Sequence, residues 1–270
     1  MNHKIFDNNT KGNDYVVGDI HGCVTELYQA LTEVNFDVTL DRLFSVGDLM
    51  DRGPENLEIS ELVDQPWFHF TKANHDIMAL EALSSEQDAA YWLNSGGLWA
   101  IDVVENYGIS FTDADLKFAN IIEKIKAAPD VISVKKTDGT YFHVCHTLFK
   151  IPYFVRTFAD FSDYISMAGH DREFYWNRGP LRKYNGIELT KENINKMAID
   201  YGYNNLYPNL FYIGHTTMLH STTYFKWVTI DTGACFREID NRYGFTLGNP
   251  NTNEYWQNGK QVKPIRLDRL

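Results

Sequence analysis

The chain has 270 residues, 44% of them hydrophobic and 14% aromatic, which is enough to bury a full core and reads as one large domain over 1–270. Its formal net charge of -11 argues against nonspecific attraction of the bulk surface to nucleic acid or anionic membranes. No apolar run approaches the ~20 residues of a membrane span, and no basic start leads into an apolar stretch, so a cytoplasmic protein is expected.

Residues 1–13 are polar through Asn8-Asn9-Thr10-Lys11-Gly12-Asn13 and read as a loose lead-in. Tyr15-Val16-Val17 then forms a strand that ends at Gly18-Asp19. Leu27, Ala30, Leu31 and Val34 recur at helical spacing, and a second strand, Leu43 to Val46, runs into Gly47-Asp48. Pro54 suits the first turn of a helix carrying Leu57, Leu62 and Val63. Trp67 to Phe70 gives a third strand that leads to Asn74-His75, completing a βαβαβ order expected of an α/β fold. Met78 to Leu83, Ala89 to Tyr107 and Ala114 to Ala127 read as helices. From Val131 onward the pattern turns to hairpins, at Asp138-Gly139 and at Asn258-Gly259, with Phe211 to Gly214 and Thr223 to Asp231 as strands of a second sheet. Residues 158–209, rich in aromatics and charges (Phe174-Tyr175-Trp176, Tyr184, Tyr201, Tyr203), read as an insert at the rim of the site that sets substrate preference.

Chemistry concentrates at the strand ends. Asp19-Ile20-His21-Gly22, Gly47-Asp48-Leu49-Met50-Asp51-Arg52-Gly53 and Asn74-His75-Asp76 follow apolar runs within about sixty residues. Glycine lets the backbone turn sharply there, and ligands of open α/β sheets bind outside the carboxyl ends of the strands, so Asp19 and Asp48 are expected to face one crevice. His21 stands close enough to share an ion with Asp19. Mixed oxygen and nitrogen ligands suit Mn²⁺, Zn²⁺ or iron before Ca²⁺ or Mg²⁺. Asp48 is the natural bridge between two ions, which at roughly 3.5–4 Å apart would hold a hydroxide and neutralise a phosphoryl group in line with it. Cys23, Cys145 and Cys235 show no paired spacing and read as small buried hydrophobes. His143, three residues before His146 in an alternating run, points to the other face and reads as structural.

These three motifs resemble those of the calcineurin-like metallophosphoesterases, and within them the phosphoprotein phosphatase group, most of all its lambda-phage and bacterial type. Tyr91-Trp92-Leu93-Asn94-Ser95-Gly96-Gly97 is similar to a Trp-Leu-x-Asn-Gly-Gly element of that branch, one residue longer. The match resumes at Val144-Cys145-His146, Tyr175-Trp176-Asn177-Arg178 and Gly214-His215-Thr216. The resemblance implies a four-layer α-β-β-α sandwich with a dinuclear site at the sheet edge. It implies one metal on Asp19, His21 and Asp48, and a second on Asp48, Asn74, His146 and His215. It also makes His75 the donor of a proton to the leaving oxygen, Asp51 its orienting carboxylate, and Arg52 and Arg178, with Asn74, the holders of substrate phosphate. Arg172 and Arg182 are the neighbours able to replace Arg178.

Three positions depart from the pattern. Ala73 stands where Gly is usual and would be strained at positive φ. Thr147-Leu148 replaces Ala-Gly after His146 and is expected to narrow one wall of the cleft. Asp76 stands where Glu is frequent. Asp231-Thr232-Gly233-Ala234 resembles a structural turn of the family. The implied activity is a metal-dependent phosphomonoesterase, with two ions, Mn first and Zn or Fe as alternatives. Its partner is a phosphorylated protein, at phosphoserine, phosphothreonine or phosphotyrosine, or a small phosphoester. Hydrolysis of dinucleoside polyphosphates is the enzymatic alternative, in a sister branch that commonly carries Ala where Asp51 stands. A phosphopeptide-binding pseudoenzyme is the nonenzymatic one.

Overall fold

The structure is a computed structural model that describes residues 1–105, 109, 112–169, 172–178 and 207–266. In chain order its elements are β1 (His3–Phe6), β2 (Asp14–Val17), α1 (Val24–Glu33), β3 (Arg42–Ser45), α2 (Ile59–Leu62), β4 (Phe68–Phe70), α3 (Asn74–Ala82), α4 (Glu86–Trp92), α5 (Ile101–Glu105), α6 (Asp113–Ala127), β5 (Val131–Lys135) and β6 (Tyr141–Cys145). Then come α7 (Phe158–Met167), α8 (Glu173–Trp176), β7 (Leu210–Ile213), β8 (Thr222–Tyr224), β9 (Trp227–Thr229), β10 (Thr246–Asn249), β11 (Glu254–Gln257), β12 (Lys260–Val262) and β13 (Ile265–Arg266). One sheet has the order β1-β5-β6-β7-β9-β8-β13 and the other β12-β11-β10-β2-β3-β4.

The two sheets face each other across a core of Val16, Phe44, Val46, Ile132, Phe142, Val144, Tyr212 and Val228. Outside the six-stranded sheet, Leu27, Leu31, Phe118, Ile121 and Ile125 of α1 and α6 cover the other faces of β2, β3 and β4. Outside the seven-stranded sheet, Phe161 and Ile165 of α7 pack on Phe211 and Trp227. Strands covered on both faces read as continuous apolar runs, and β2 is buried at all four positions for that reason. The layering is the α-β-β-α sandwich that the resemblance implies.

Four expectations are corrected. Residues 1–13 are not all a loose lead-in: His3–Phe6 pairs in parallel with β5 as an edge strand. Phe6 anchors it, with its ring 5.3 Å from Phe44 and 4.6 Å from His69. Ala89 to Tyr107 is not one helix, because Gly96 takes φ 130 and breaks it into α4, a wide turn over Leu93–Gly97, a short 3₁₀ turn and α5. Residues 106–108 lie outside the described residues. Helix α2 is a single turn that starts five residues beyond Pro54. Thr223 to Asp231 holds two strands, β8 and β9, paired antiparallel around a turn where Phe225 takes φ 52. The hairpin at Asn258-Gly259 has positive φ at both residues, as a tight two-residue turn requires. Most of the 158–209 insert, with Arg182, Tyr184, Tyr201 and Tyr203, lies outside the described residues. Its described part packs Phe161, Phe174, Tyr175 and Tyr207 as a core against the sheet.

His3, Ser133, His143 and Tyr207 form a chain of side-chain hydrogen bonds of 2.6–2.7 Å beneath α7. Burial lowers His3 and His69 each to about 4, against about 6.5 in an unfolded chain. Between those values the unfolded chain binds protons that the folded chain does not. Stability is therefore full above about pH 6.5 and falls as the pH drops toward about 4. Thermal melts over that range should show the loss, and His69→Phe, which keeps the stack on Phe6 and Phe44, should flatten it. An unchanged slope in the variant would exclude His69 as a source.

Candidate active site

The site is assembled where strands from both sheets end. Asp19 follows β2, Asp48 follows β3, and Asn74 and His75 open α3 after β4, while His146 and His215 follow β6 and β7. Backbone bonds tie the first two loops together: Ile20 and His21 donate to the carbonyl of Asp48 at 3.1 and 2.7 Å, and Gly22 to that of Leu49 at 2.9 Å. Of the nine described non-glycine residues with positive φ, five lie here: His21, Asp48, Asp51, Arg52 and His215. Such conformations cost of order 1–3 kcal/mol each and persist only where surrounding contacts enforce them. Asn56 supplies one such contact, accepting from the Asp51 backbone N–H at 2.7 Å and donating to the Gly53 carbonyl at 2.8 Å. Glycine is required for close approach as well as for φ. A Cβ on Gly214 would fall 1.9 Å from Asp19 Oδ1, and one on Gly53 would fall 1.9 Å from the His21 carbonyl.

Asp48 is buried at the centre. It accepts from the His75 backbone N–H at 3.0 Å, and its oxygens lie 3.5 Å from His21 Nε2 and 3.6 Å from His146 Nε2. Burial pushes this carboxyl up, but the charges available to His146, His75, His21 and His215 outweigh it and hold the group below the usual carboxylate range. Two sets of donor atoms share Asp48: His21, Asp48 and His75, and Asp48, His146 and His215, with all atoms of a set within 4.8 Å of one another. Asn74 Oδ1 stands 2.8 Å from both His146 Nε2 and His215 Nδ1. Asp19 accepts from the His215 backbone N–H and lies 4.0 Å from His21 Nε2.

The donor set fits divalent cations. His21 and His146 donate their Nδ1 hydrogens to the carbonyls of Met50 and Val46 at 2.8 and 3.0 Å, which turns each Nε2 lone pair toward the site. Burial lowers His21 to about 3, His215 to about 2, and His146 below its ordinary value, so all three imidazoles are held neutral, the form that binds metal. Burial and the nearby charges of Asp231 and Asp48 push Asp19 up, a strain that a cation would relieve. The Arg52 guanidinium marks one spot where positive charge is held, donating to His21 Nε2 at 2.6 Å and to His75 Nε2 at 2.8 Å.

His75 donates from Nδ1 to Asp51 Oδ2 at 2.6 Å. Sequence reasoning missed the rest of this carboxylate's surroundings, the indoles of Trp92 and Trp99. Trp92 stood within the Gly-Gly element, but nothing in its spacing assigned its N–H a partner. Arg178 is exposed, two residues past α8, and its charge helps lower His146 and His215. Arg172 is engaged elsewhere, 3.0 Å from Glu81 and over the Trp176 ring. Ala73 is extended at φ -130 and carries no strain. Thr147 and Leu148 are buried and do not narrow the cleft. Thr147 Oγ1 donates to the Phe174 carbonyl, and Asn177 donates to the Leu148 carbonyl at 2.8 Å, so the pair secures the segment that carries Arg178. His143 stacks among Phe158, Phe161, Tyr207 and Phe211, away from the site. Burial pushes the Cys23 and Cys145 thiols up, and no cysteine joins a donor cluster among the described residues.

A sandwich with carboxylates and imidazoles gathered at five strand ends is that of a phosphoesterase, and residues 15–216 match the model of the calcineurin-like phosphoesterase family. The chain belongs to that family. It is 31% identical over 220 residues to serine/threonine-protein phosphatase 2 of Salmonella typhimurium strain LT2, covering 82% of this chain and 87% of that one. A shorter stretch of 68 residues is 43% identical to the symmetrical bis(5'-nucleosyl)-tetraphosphatase of Proteus mirabilis strain HI4320, covering 24% of this chain and 25% of that one. A solved structure assigned as a diadenosine tetraphosphatase shares the fold, with a TM-score of 0.58 at 17% identity over 97% of this chain and 98% of that one. No helix among the described residues is long and apolar enough to cross a membrane.

Gly214→Ala should push Asp19 and the His215 loop apart. With Mn²⁺ as the probe cation, we expect half-saturation of binding to require at least about tenfold more metal than in the parent, the size of effect seen when outer partners of metal ligands are lost. A titration curve that superimposes on the parent's would show that the close approach does not matter.

Proposed function

We propose that the protein is a metal-dependent phosphomonoesterase of the cytoplasm that hydrolyses phosphoserine and phosphothreonine in proteins, with phosphotyrosine and small phosphoesters also accepted. The observation that carries this reading is the Asp51–His75 pair, 2.6 Å apart, with His75 itself a member of one of the two donor sets that share Asp48. Asp19, His21 and Asp48 would hold one divalent ion, and Asp48, Asn74, His146 and His215 the other, with manganese favoured over zinc or iron. Ions bound there would supply an activated water and screen the phosphoryl charge.

The chain's own residues do the rest. Arg52 and Arg178 present guanidinium forks to the phosphoryl oxygens, and Asn74 lies at the same rim. When Arg52 turns to the phosphate, His75 Nε2 is free to carry a proton and to give it to the leaving oxygen as the P–O bond breaks. Asp51 holds the ring through Nδ1 so that Nε2 faces the cleft. Two facts favour protein phosphatase over tetraphosphatase chemistry: the phosphatase likeness spans 87% of that relative against 25% for the tetraphosphatase, and Asp51 is present. Against a pseudoenzyme, the proposed ligands are all retained and brought together.

The test is release of p-nitrophenol from p-nitrophenyl phosphate by metal-stripped protein with and without added Mn²⁺, alongside phosphopeptides and a dinucleoside tetraphosphate. We expect Mn²⁺-dependent turnover of the first two, abolished by Asp48→Asn and lowered about 10²–10⁴-fold on phosphopeptides by His75→Asn. Turnover of the tetraphosphate alone would reverse the choice of substrate, and none with any divalent ion would favour a binding module.

A further inference from the structure

The Asp51 carboxylate is fully buried and accepts three hydrogen bonds from side chains. Oδ2 takes His75 Nδ1–H at 2.6 Å and Trp92 Nε1–H at 2.7 Å, and Oδ1 takes Trp99 Nε1–H at 2.9 Å. Two indoles on one carboxylate require a particular backbone. The seven-residue spacing from Trp92 to Trp99 would spread them along a regular helix, by roughly 10 Å at 1.5 Å per residue. The wide turn over Leu93–Gly97 folds the chain back instead. Gly96 at φ 130 sits against Asp51 Cβ and Arg52 Cγ, and a Cβ on Gly97 would fall 2.8 Å from the Trp92 ring. The two indoles meet edge to face at 6.1 Å and both pack on Phe118 of α6, which fixes their N–H groups in direction.

For packing alone, phenylalanine would serve, since a buried indole N–H needs a partner or costs stability. Here both N–H groups are directed at the carboxylate that orients His75. Each bond spreads the negative charge of Asp51 and fixes the carboxylate plane, so the oxygen bonded to Nδ1 cannot rotate away. We propose that Trp92 and Trp99 are positioning residues that act through Asp51 to hold His75 in line with the leaving oxygen. This inference rests on the reading of His75 as the proton donor. In that step the oxygen of an attacking water forms a new bond to phosphorus and releases its proton to solvent, and the P–O bond to the leaving group breaks with its electron pair going to the leaving oxygen. The proton on His75 Nε2 passes to that oxygen, while the other proton stays on Nδ1, hydrogen-bonded to Asp51.

A proton donor matters most when the leaving group is poor. The experiment compares phenyl phosphate with p-nitrophenyl phosphate, whose leaving oxygen needs little help, in Trp92→Phe, Trp99→Phe and His75→Asn. We expect each Trp variant to lose about tenfold in kcat on phenyl phosphate and about twofold on p-nitrophenyl phosphate with KM unmoved, as for one lost charge-assisted bond. In an Asp51→Asn background the Trp changes should add almost nothing, the mark of groups acting through one partner. Trp99 is only half-buried, so Trp99→Phe gives the reading even where Trp92→Phe fails to fold. The indole Nε1–H resonances of both tryptophans should also shift in Asp51→Asn protein, a readout that needs no turnover. Equal losses on the two substrates, additive losses with Asp51→Asn, or unmoved indole resonances would each overturn the clamp. If His75→Asn itself shows no preference between the substrates, the proton-donor reading fails first and the clamp's role with it.

Discussion

A single buried carboxylate, Asp48, organises the molecule around it. An uncompensated charge at that depth would cost several kcal/mol. Asp48 accepts a backbone N–H from His75 and is ringed by imidazoles from four separate segments, and the charge those rings can carry holds the carboxyl below the usual carboxylate range in spite of burial. Those segments follow β2, β4, β6 and β7, so the condition can be met only if both sheets end at the same place. The face-to-face packing of Val16, Phe44, Val46, Phe142, Val144 and Tyr212 brings those ends together.

Convergence on one point is costly for the backbone. His21, Asp48, Asp51, Arg52 and His215 take left-handed conformations that side chains disfavour, and the loops are tied to one another to hold them there. Glycine appears where two loops pass almost in contact, as Gly214 does against Asp19. Rigidity at the site is thus assembled from many short constraints, and the helices and sheets behind it supply the fixed frame on which those constraints act.

Much of this was legible in the sequence because strand ends carry local signals. An apolar run, then Gly, then Asp or His, names both the element and the residue that leaves it, and so the three N-terminal motifs were readable as they stand. What stayed hidden depends on contacts distant in sequence. The strand at His3–Phe6 is short, polar at two positions and held by Phe44, His69 and β5, so no local periodicity reveals it. The break in the predicted helix at Gly96-Gly97 follows from the need to bring Trp92 and Trp99 onto Asp51, about forty residues upstream. Thr147-Leu148 read as an obstruction in the cleft because its true partners, Phe174 and Asn177, lie in a segment whose placement no spacing announces.

Charge balance links the parts. Asp19, Asp48, Asp51 and Asp231 are buried together, burial disfavours the charged forms of His21, His146 and His215, and Arg52 brings a fixed positive charge beside them. Burial pushes Asp19 and Asp231 toward their neutral forms, so the site without ions offers a phosphate dianion little net positive charge, within a chain carrying -11. Two divalent ions would make the site positive locally and leave the surface acidic. Phosphate affinity and metal affinity at such a site must then rise together, because by linkage each ligand strengthens the other by the same factor. On the proposed reading, ions bound there would favour a compact phosphoryl group over a long polyanion, which would have to extend along a chain carrying -11.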